Sequence, residues 1–113
     1  LFPERKNEMN RIDLSKHKGK TYRVLSGAEL GREVRKELNI DVLDNQAGTV
    51  TFCIPESVYS LNSSFFSGLF QKSIRNLGEK KFREHYKFEC TEIIRENIED
   101  GIFNILNTMN WLG

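Results

Sequence analysis

The chain of 113 residues has little of what marks several classes of protein. It has two prolines and two cysteines, and Cys53 and Cys90 lie far apart with no local partner pattern. This excludes a disulfide scaffold and a cysteine zinc site, and it is typical of a cytoplasmic protein. No apolar run approaches the roughly 20 residues that a membrane-spanning helix needs. The N-terminus is charged from Glu4 onward, so we expect no secretory signal.

The chain also lacks a strong excess of charge of either sign. Its 17 Lys and Arg residues nearly balance 16 Asp and Glu residues, for a formal net charge of +1. The first 20 residues hold six cations and three acids, a local charge of +3, so the others sum to −2. We interpret residues 1–19 as a basic, partly ordered arm and residues 20–113 as the domain. This balance argues against a nucleic-acid or membrane partner.

What the chain does have is a regular alternation of strand and helix patterns. The 49–54 segment is nearly all apolar or β-branched, which favours a central strand covered on both faces. Alternating or apolar β-forming residues predict strands at 20–25, 49–54 and 86–90, and helical spacing predicts helices at 27–39, 63–77 and 91–109. This order predicts an α/β fold with a small, mostly parallel sheet, packed helices and an extra edge strand from the arm or from 40–44.

Three details refine these elements. Ser26 and Glu29 have the spacing of a capping box at the start of the first helix. Gly78 predicts the end of the second helix, and residues 79–84 can form another helical turn. Gly101 lies inside the last helix, where glycine costs about 1 kcal/mol relative to alanine.

The candidate functional site is the segment from Val58 to Phe65. It lies between the carboxyl end of the predicted central strand and the start of the second helix, where ligands bind in open α/β sheets. The free amides of a helix start favour an anion, so Ser63 and Ser64 are candidate phosphorylation sites. Asn62, Ser63 and Ser64 are also preferred N-cap residues, so a capping role alone is a second interpretation.

Other residues that could carry chemistry have no supporting pattern. His17 and His85 are the only histidines, and no spaced set of His, Cys, Asp and Glu residues supplies the ligands of a zinc site. Neither a Gly-x-Gly-x-x-Gly motif nor a Walker motif occurs. We expect Cys53 to point into the sheet core. The sequence therefore predicts a protein that is not an enzyme, with no catalytic residue, metal or cofactor.

The candidate segment carries a resemblance to a known family. Residues 58–64, Val-Tyr-Ser-Leu-Asn-Ser-Ser, run from strand and loop into a helix, as in the STAS domain of bacterial anti-sigma-factor antagonists. A STAS-like domain family of unknown function is more similar, over a pattern formed by Ser64-Phe65, Leu77-Gly78-Glu79, Phe82 and Phe88. The resemblance covers about residues 20 to 108. It implies a non-enzymatic regulatory module that a GHKL-type ATP-binding kinase phosphorylates on serine.

Carried onto this chain, the resemblance assigns roles to individual residues. Ser63 falls on the phosphorylated serine of the antagonists, Ser64 on the next hydroxyl, and Asn62 on an aspartate, while Phe65 replaces a glycine. The implied partner is a GHKL-type ATPase or kinase, or an anti-sigma-like protein. It would bind a surface made of Ser57, Tyr59, Ser60, Asn62, Ser63, Ser64 and Phe65.

Two other functions stay open on the sequence alone. One is a stand-alone inhibitor or accessory protein of a mobile element, which acts through a fixed protein-binding surface and needs no phosphorylation. The other is a small domain that binds an anion at a helix start. A homodimer is also open, because an unpaired sheet edge can pair with a second copy. The phosphorylation hypothesis requires an exposed hydroxyl at position 63 or 64.

Overall fold

The structure is a computed structural model that describes residues 11–112, with side chains up to residue 109. The described residues form four helices: α1 Ala28–Leu38, α2 Ile40–Leu43, α3 Ser63–His85 and α4 Glu92–Leu112. They also form seven short strands: β1 Arg11–Asp13, β2 Lys16–His17, β3 Lys20–Thr21, β4 Val24–Leu25, β5 Val50–Cys53, β6 Ser60–Leu61 and β7 Tyr86–Glu89. None of these helices is both long and apolar enough to cross a membrane.

The main sheet has three parallel strands in the order β1, β5, β7. This confirms an α/β fold with a small, mostly parallel sheet, and it confirms β5 as the central strand. The extra edge strand is β1, so residues 11–13 of the predicted arm lie in the sheet. Residues 14–19 continue into the β2–β3 hairpin, so this part of the arm belongs to the folded unit. Residues 1–10 of the arm lie outside the described residues.

The segment predicted as one strand at 20–25 is divided between two pairings. β3 pairs antiparallel with β2, whereas β4 pairs parallel with β6. The change of partner occurs around Tyr22, whose backbone N–H donates to the carbonyl of Ser15 at 2.7 Å. The prediction of a single strand at 20–25 is therefore wrong, because the two halves of this run of β-forming residues pair with two different strands.

The two faces of the main sheet differ in burial. Phe52 of β5 and Tyr86 of β7 are buried under the helices, whereas Lys87 and Glu89 are exposed on the opposite face. Thr51 and Cys53 of β5 lie on this open face and are only half-buried, so the prediction that the 49–54 strand is covered on both faces is wrong. Cys53 lies on the open face, half-buried, with its Sγ 3.6 Å from the Glu89 carboxylate. It does not point into the core, although partial burial raises the pKa of its thiol.

The helices cover the sheet through a cluster of aromatic side chains. Phe66, Phe70 and Phe82 of α3 are fully buried, and the Phe70 and Phe82 rings meet edge to face with centroids 5.1 Å apart. Gly78 interrupts α3 with φ 82° and ψ 162°, so the predicted end of the helix and the further turn after it are both confirmed. In α4, a side chain at Gly101 would lie 2.6 Å from the Phe66 ring, which explains a glycine inside this helix.

Candidate functional site at the paired helix starts

Two helix starts lie side by side in this fold. The parallel pairing of β4 with β6 sets Leu25 opposite Leu61, and each strand leads directly into a helix. Gly27 is the N-cap of α1, with φ 93° that favours glycine, and Asn62 is the N-cap of α3. The Gly27 N–H donates to Asn62 Oδ1 at 3.3 Å. The positive ends of two helix dipoles therefore meet at one place on the surface.

The Asn62 side chain links the two starts. Its Oδ1 accepts hydrogen bonds from the N–H groups of Phe65, at 2.9 Å, and Gly27, while its Nδ2 donates to Ser26 Oγ at 2.8 Å. The capping interpretation is thus confirmed for Asn62. The capping box predicted for Ser26 and Glu29 is wrong, because α1 begins one residue later and the Ser26 hydroxyl is bound by Asn62.

This geometry predicts the effect of replacing Asn62. We expect Asn62→Ala to lower the free energy of unfolding by about 1–2 kcal/mol, because it removes the cap of α3 and the link to α1. Asn62→Asp should lose less, since a carboxylate still accepts both N–H groups and favours two positive helix ends. Urea denaturation measures both values. Asn76→Ala, an exposed asparagine of α3, is the control, and an equal loss there would contradict the role of Asn62.

Ser63 and Ser64 point to different sides of α3. Ser63 is half-buried, and its Oγ accepts a hydrogen bond from Asn104 Nδ2 of α4 at 2.9 Å. Ser64 is exposed, and its hydroxyl has no hydrogen bond to any described residue. The exposed hydroxyl required by the phosphorylation hypothesis is therefore present at position 64.

The rest of the predicted surface is mostly accessible. Ser57 is exposed, Ser60 is half-buried and the Tyr59 side chain is 65% exposed, the highest value among the large apolar side chains described. Phe65 is the exception, because its side chain is fully buried. It belongs to the apolar stripe of α3 that packs into the core, so it is not available to contact a partner.

A buried polar network at the other end of α1 was not found from the sequence. Asp44, whose side chain is 4% exposed, accepts hydrogen bonds from Ser73 Oγ at 2.8 Å and from the Tyr86 hydroxyl. Arg35 donates to Asp44 Oδ2 at 3.2 Å, to Ser73 Oγ at 2.9 Å and to the Leu69 carbonyl at 2.8 Å. Burial, and then the Asp44 carboxylate, raise the pKa of Tyr86.

The network is structural in character. Its polar groups already bond one another, and they connect α1, α3, β7 and the turn after α2. No sequence pattern could reveal it, because Asp44 lies 29 residues from Ser73 and 42 from Tyr86.

The two histidines occupy different environments. His85 Nε2 lies 2.6 Å from the Leu43 carbonyl, which fixes its ring beside α2. His17 is buried between the β2–β3 hairpin and α1, with Nδ1 2.5 Å from the Glu37 carboxylate. Its Nε2 has no hydrogen-bond partner among the described residues and lies 3.8 Å from Glu33. Within residues 11–109, no group of three His, Cys, Asp or Glu side chains is placed to hold a metal ion.

Comparison with known proteins adds no relative. No protein-family model matches the chain, and neither a curated protein nor a solved structure matches it. The STAS-like relationship therefore stays a prediction that rests on the residues at the start of α3 and on the order of the elements.

Proposed function

We propose that the protein is a cytoplasmic, non-enzymatic, STAS-like regulatory module that binds a partner protein through the surface at the paired helix starts. This surface consists of Ser57, Tyr59, Ser60, Asn62, Ser63 and Ser64. The observation that carries the proposal is the Ser64 hydroxyl, which is exposed in the first turn of α3 beside the start of α1.

The loop before α3 has the properties of a protein-binding surface. An exposed tyrosine with polar neighbours is typical of the residues that contribute most to protein–protein binding. The loop backbone is held in place, because the Tyr59 N–H donates to the Arg23 carbonyl and the Val58 N–H donates to the Pro55 carbonyl, each at 2.9 Å. A tyrosine presented on a fixed backbone loses little conformational entropy on binding. The resemblance makes a GHKL-type ATP-binding kinase or an anti-sigma-like protein the expected partner.

Phosphorylation would change this surface strongly. A phosphate on Ser64 adds about −1.5 to −2 charges at a place where two helix ends supply partial positive charge. The same modification on Ser63 would have to displace the hydrogen bond from Asn104. The geometry thus favours Ser64 as the acceptor, whereas the resemblance to the antagonists favours Ser63, so both serines are candidate acceptors.

The test is affinity capture from the source cells with tagged protein, read by mass spectrometry. We expect a kinase-like ATP-binding protein, and we expect Ser64→Glu to change its recovery by about fivefold or more, because the added charge lies in the interface. Tyr59→Ala should reduce recovery as well. Asn76→Glu adds the same charge to an exposed site farther along α3 and should leave recovery unchanged. Recovery unaffected by both Tyr59→Ala and Ser64→Glu would overturn the proposed surface.

A second function is favoured by one observation. The Ser63 hydroxyl is already bonded to Asn104, and Asn62 stands where the antagonists have an aspartate, so the helix start is complete without a phosphate. A fixed-surface inhibitor or accessory protein would use it in this state. In the capture experiment, that function predicts a partner whose recovery depends on Tyr59 but is the same for Ser63→Ala, Ser64→Ala and wild type.

A further inference from the structure

A groove with cationic walls runs between α1 and α3, beyond the paired helix starts. Its volume is about 410 Å³, and its lining includes Ala28 of α1 and Gly68 of α3. These two small residues lie where the backbones of the helices are in close contact, since a side chain at Gly68 would come within 3.0 Å of the Ala28 carbonyl carbon. The longer side chains of the lining surround these two small residues, so a groove forms between the two helices.

Four basic side chains line the groove: Arg32, Arg35, Lys72 and Arg75. Arg35 is already paired with Asp41 and Asp44, and Lys72 Nζ lies 3.4 Å from Asp41. Arg32 and Arg75 are exposed, and within residues 11–109 neither has a carboxylate within 4.0 Å or a side-chain hydrogen bond. Two guanidinium groups on opposite walls therefore have no counter-charge in the described part of the chain.

We propose that this groove binds an acidic segment of a partner protein in an extended conformation. Arginine binds carboxylates through two parallel hydrogen bonds, so Arg32 and Arg75 fit aspartate or glutamate side chains from opposite walls. Ser67 donates to Gln71 Oε1 at 3.0 Å, which orients the Gln71 amide and leaves its Nε2 to donate to a peptide carbonyl. The inference goes beyond the proposed function, because this surface is separate from the Tyr59 loop.

The charges favour an acidic peptide over a nucleic acid. A nucleic-acid surface needs a broad positive footprint, whereas this chain has a formal net charge of +1 and only four cations line the groove. Asp41 lies beside Arg35 and Lys72, and its pKa is lowered by the hydrogen bond from Arg35. An ionised carboxylate there would repel a continuous phosphate backbone but leaves the Arg32 and Arg75 walls open to a short acidic segment.

The test uses fluorescence anisotropy with a labelled octaglutamate peptide at low salt. The double variant Arg32→Gln, Arg75→Gln should weaken binding by about tenfold or more, because both counter-charges of the peptide are lost. The control variant Lys36→Gln, Lys80→Gln removes two exposed charges from the same helices outside the groove lining, and its affinity should stay within about twofold of wild type. All four side chains are exposed, so both variants should keep the wild-type melting temperature.

Four outcomes would overturn the inference. The first is no binding of octaglutamate, and the second is an equal loss in both double variants, which would reduce the effect to net charge. The third is tighter binding of a labelled single-stranded dodecanucleotide that also depends on Arg32 and Arg75. A self-association that only the groove variant abolishes would assign the groove to a second copy instead and also contradict it. None of these outcomes bears on the Tyr59 surface, so the two proposals fail separately.

Discussion

Replacing Asp44 with alanine should lower the free energy of unfolding by about 3–5 kcal/mol, because it removes one partner of a buried ion pair. The Asp44 side chain is 4% exposed and that of Arg35 is 11% exposed. Without the carboxylate, the Arg35 guanidinium keeps only exposed Asp41 as a counter-charge, and the hydroxyls of Ser73 and Tyr86 lose their acceptor. Urea denaturation near neutral pH measures the loss, with an unchanged m-value as the sign of a two-state comparison.

The matched control is Asp41→Ala, which removes the other carboxylate bonded to Arg35. Asp41 is exposed, so water screens its interaction and the loss of stability should be much smaller. Equal losses would contradict the prediction, because they would show that burial of Asp44 does not matter. If Asp44→Ala does not fold, Tyr86→Phe still tests the network. It removes one hydroxyl that donates to Asp44 and should cost about 1 kcal/mol.

Local apolar spacing was sufficient to predict α1, α3, α4 and β5, because each of these elements buries one stripe or one face of its own. Val34 of α1 and Ile98 of α4 illustrate this, since both lie on predicted stripes and both are buried. The predictions that failed concern pairing between distant segments. Nothing within residues 20–25 reveals that β3 pairs with β2 and β4 with β6, because the β-forming character is the same in both.

The candidate site was likewise predictable from the sequence only where its contacts are local. Asn62 could be identified as an N-cap because the motif is contained within four residues. Its bond to Gly27 could not, since it depends on the pairing of β4 with β6, and the two residues are 35 apart. The resemblance to the antagonists predicts Phe65 at the surface, whereas its position on the apolar stripe of α3 buries it. The groove at Arg32 and Arg75 likewise exists only because two separate helices pack together.

The variants Gly31→Ala and Gly68→Ala should each lower the free energy of unfolding by about 2 kcal/mol or more, although alanine is the better helix former. Helix propensity favours alanine over glycine by about 1 kcal/mol. Against this, a Cβ at Gly31 would overlap the Phe65 carbonyl oxygen and lie 2.9 Å from the Leu69 nitrogen, and a Cβ at Gly68 would overlap the Ala28 carbonyl oxygen. These are backbone atoms that cannot rotate away, so α1 and α3 must move apart. Overpacking typically costs about 1–3 kcal/mol and occasionally more, and a clash with backbone atoms belongs to the upper end of this range, so the loss exceeds the gain in helix propensity.

The sign of the change in the free energy of unfolding therefore shows whether the backbone clash or the gain in helix propensity is larger. Arg32→Ala is the control, because it introduces alanine next to Gly31 but on the exposed side of α1. It should change the free energy of unfolding by less than about 0.5 kcal/mol. Gly101→Ala should be destabilising but less so, because its Cβ would meet the Phe66 ring, and a side chain can shift where backbone cannot. A more stable Gly31→Ala protein would mean that the helices separate freely. The groove between them would then have no fixed width, so the contact at Gly31 and Gly68 would not set the distance between Arg32 and Arg75.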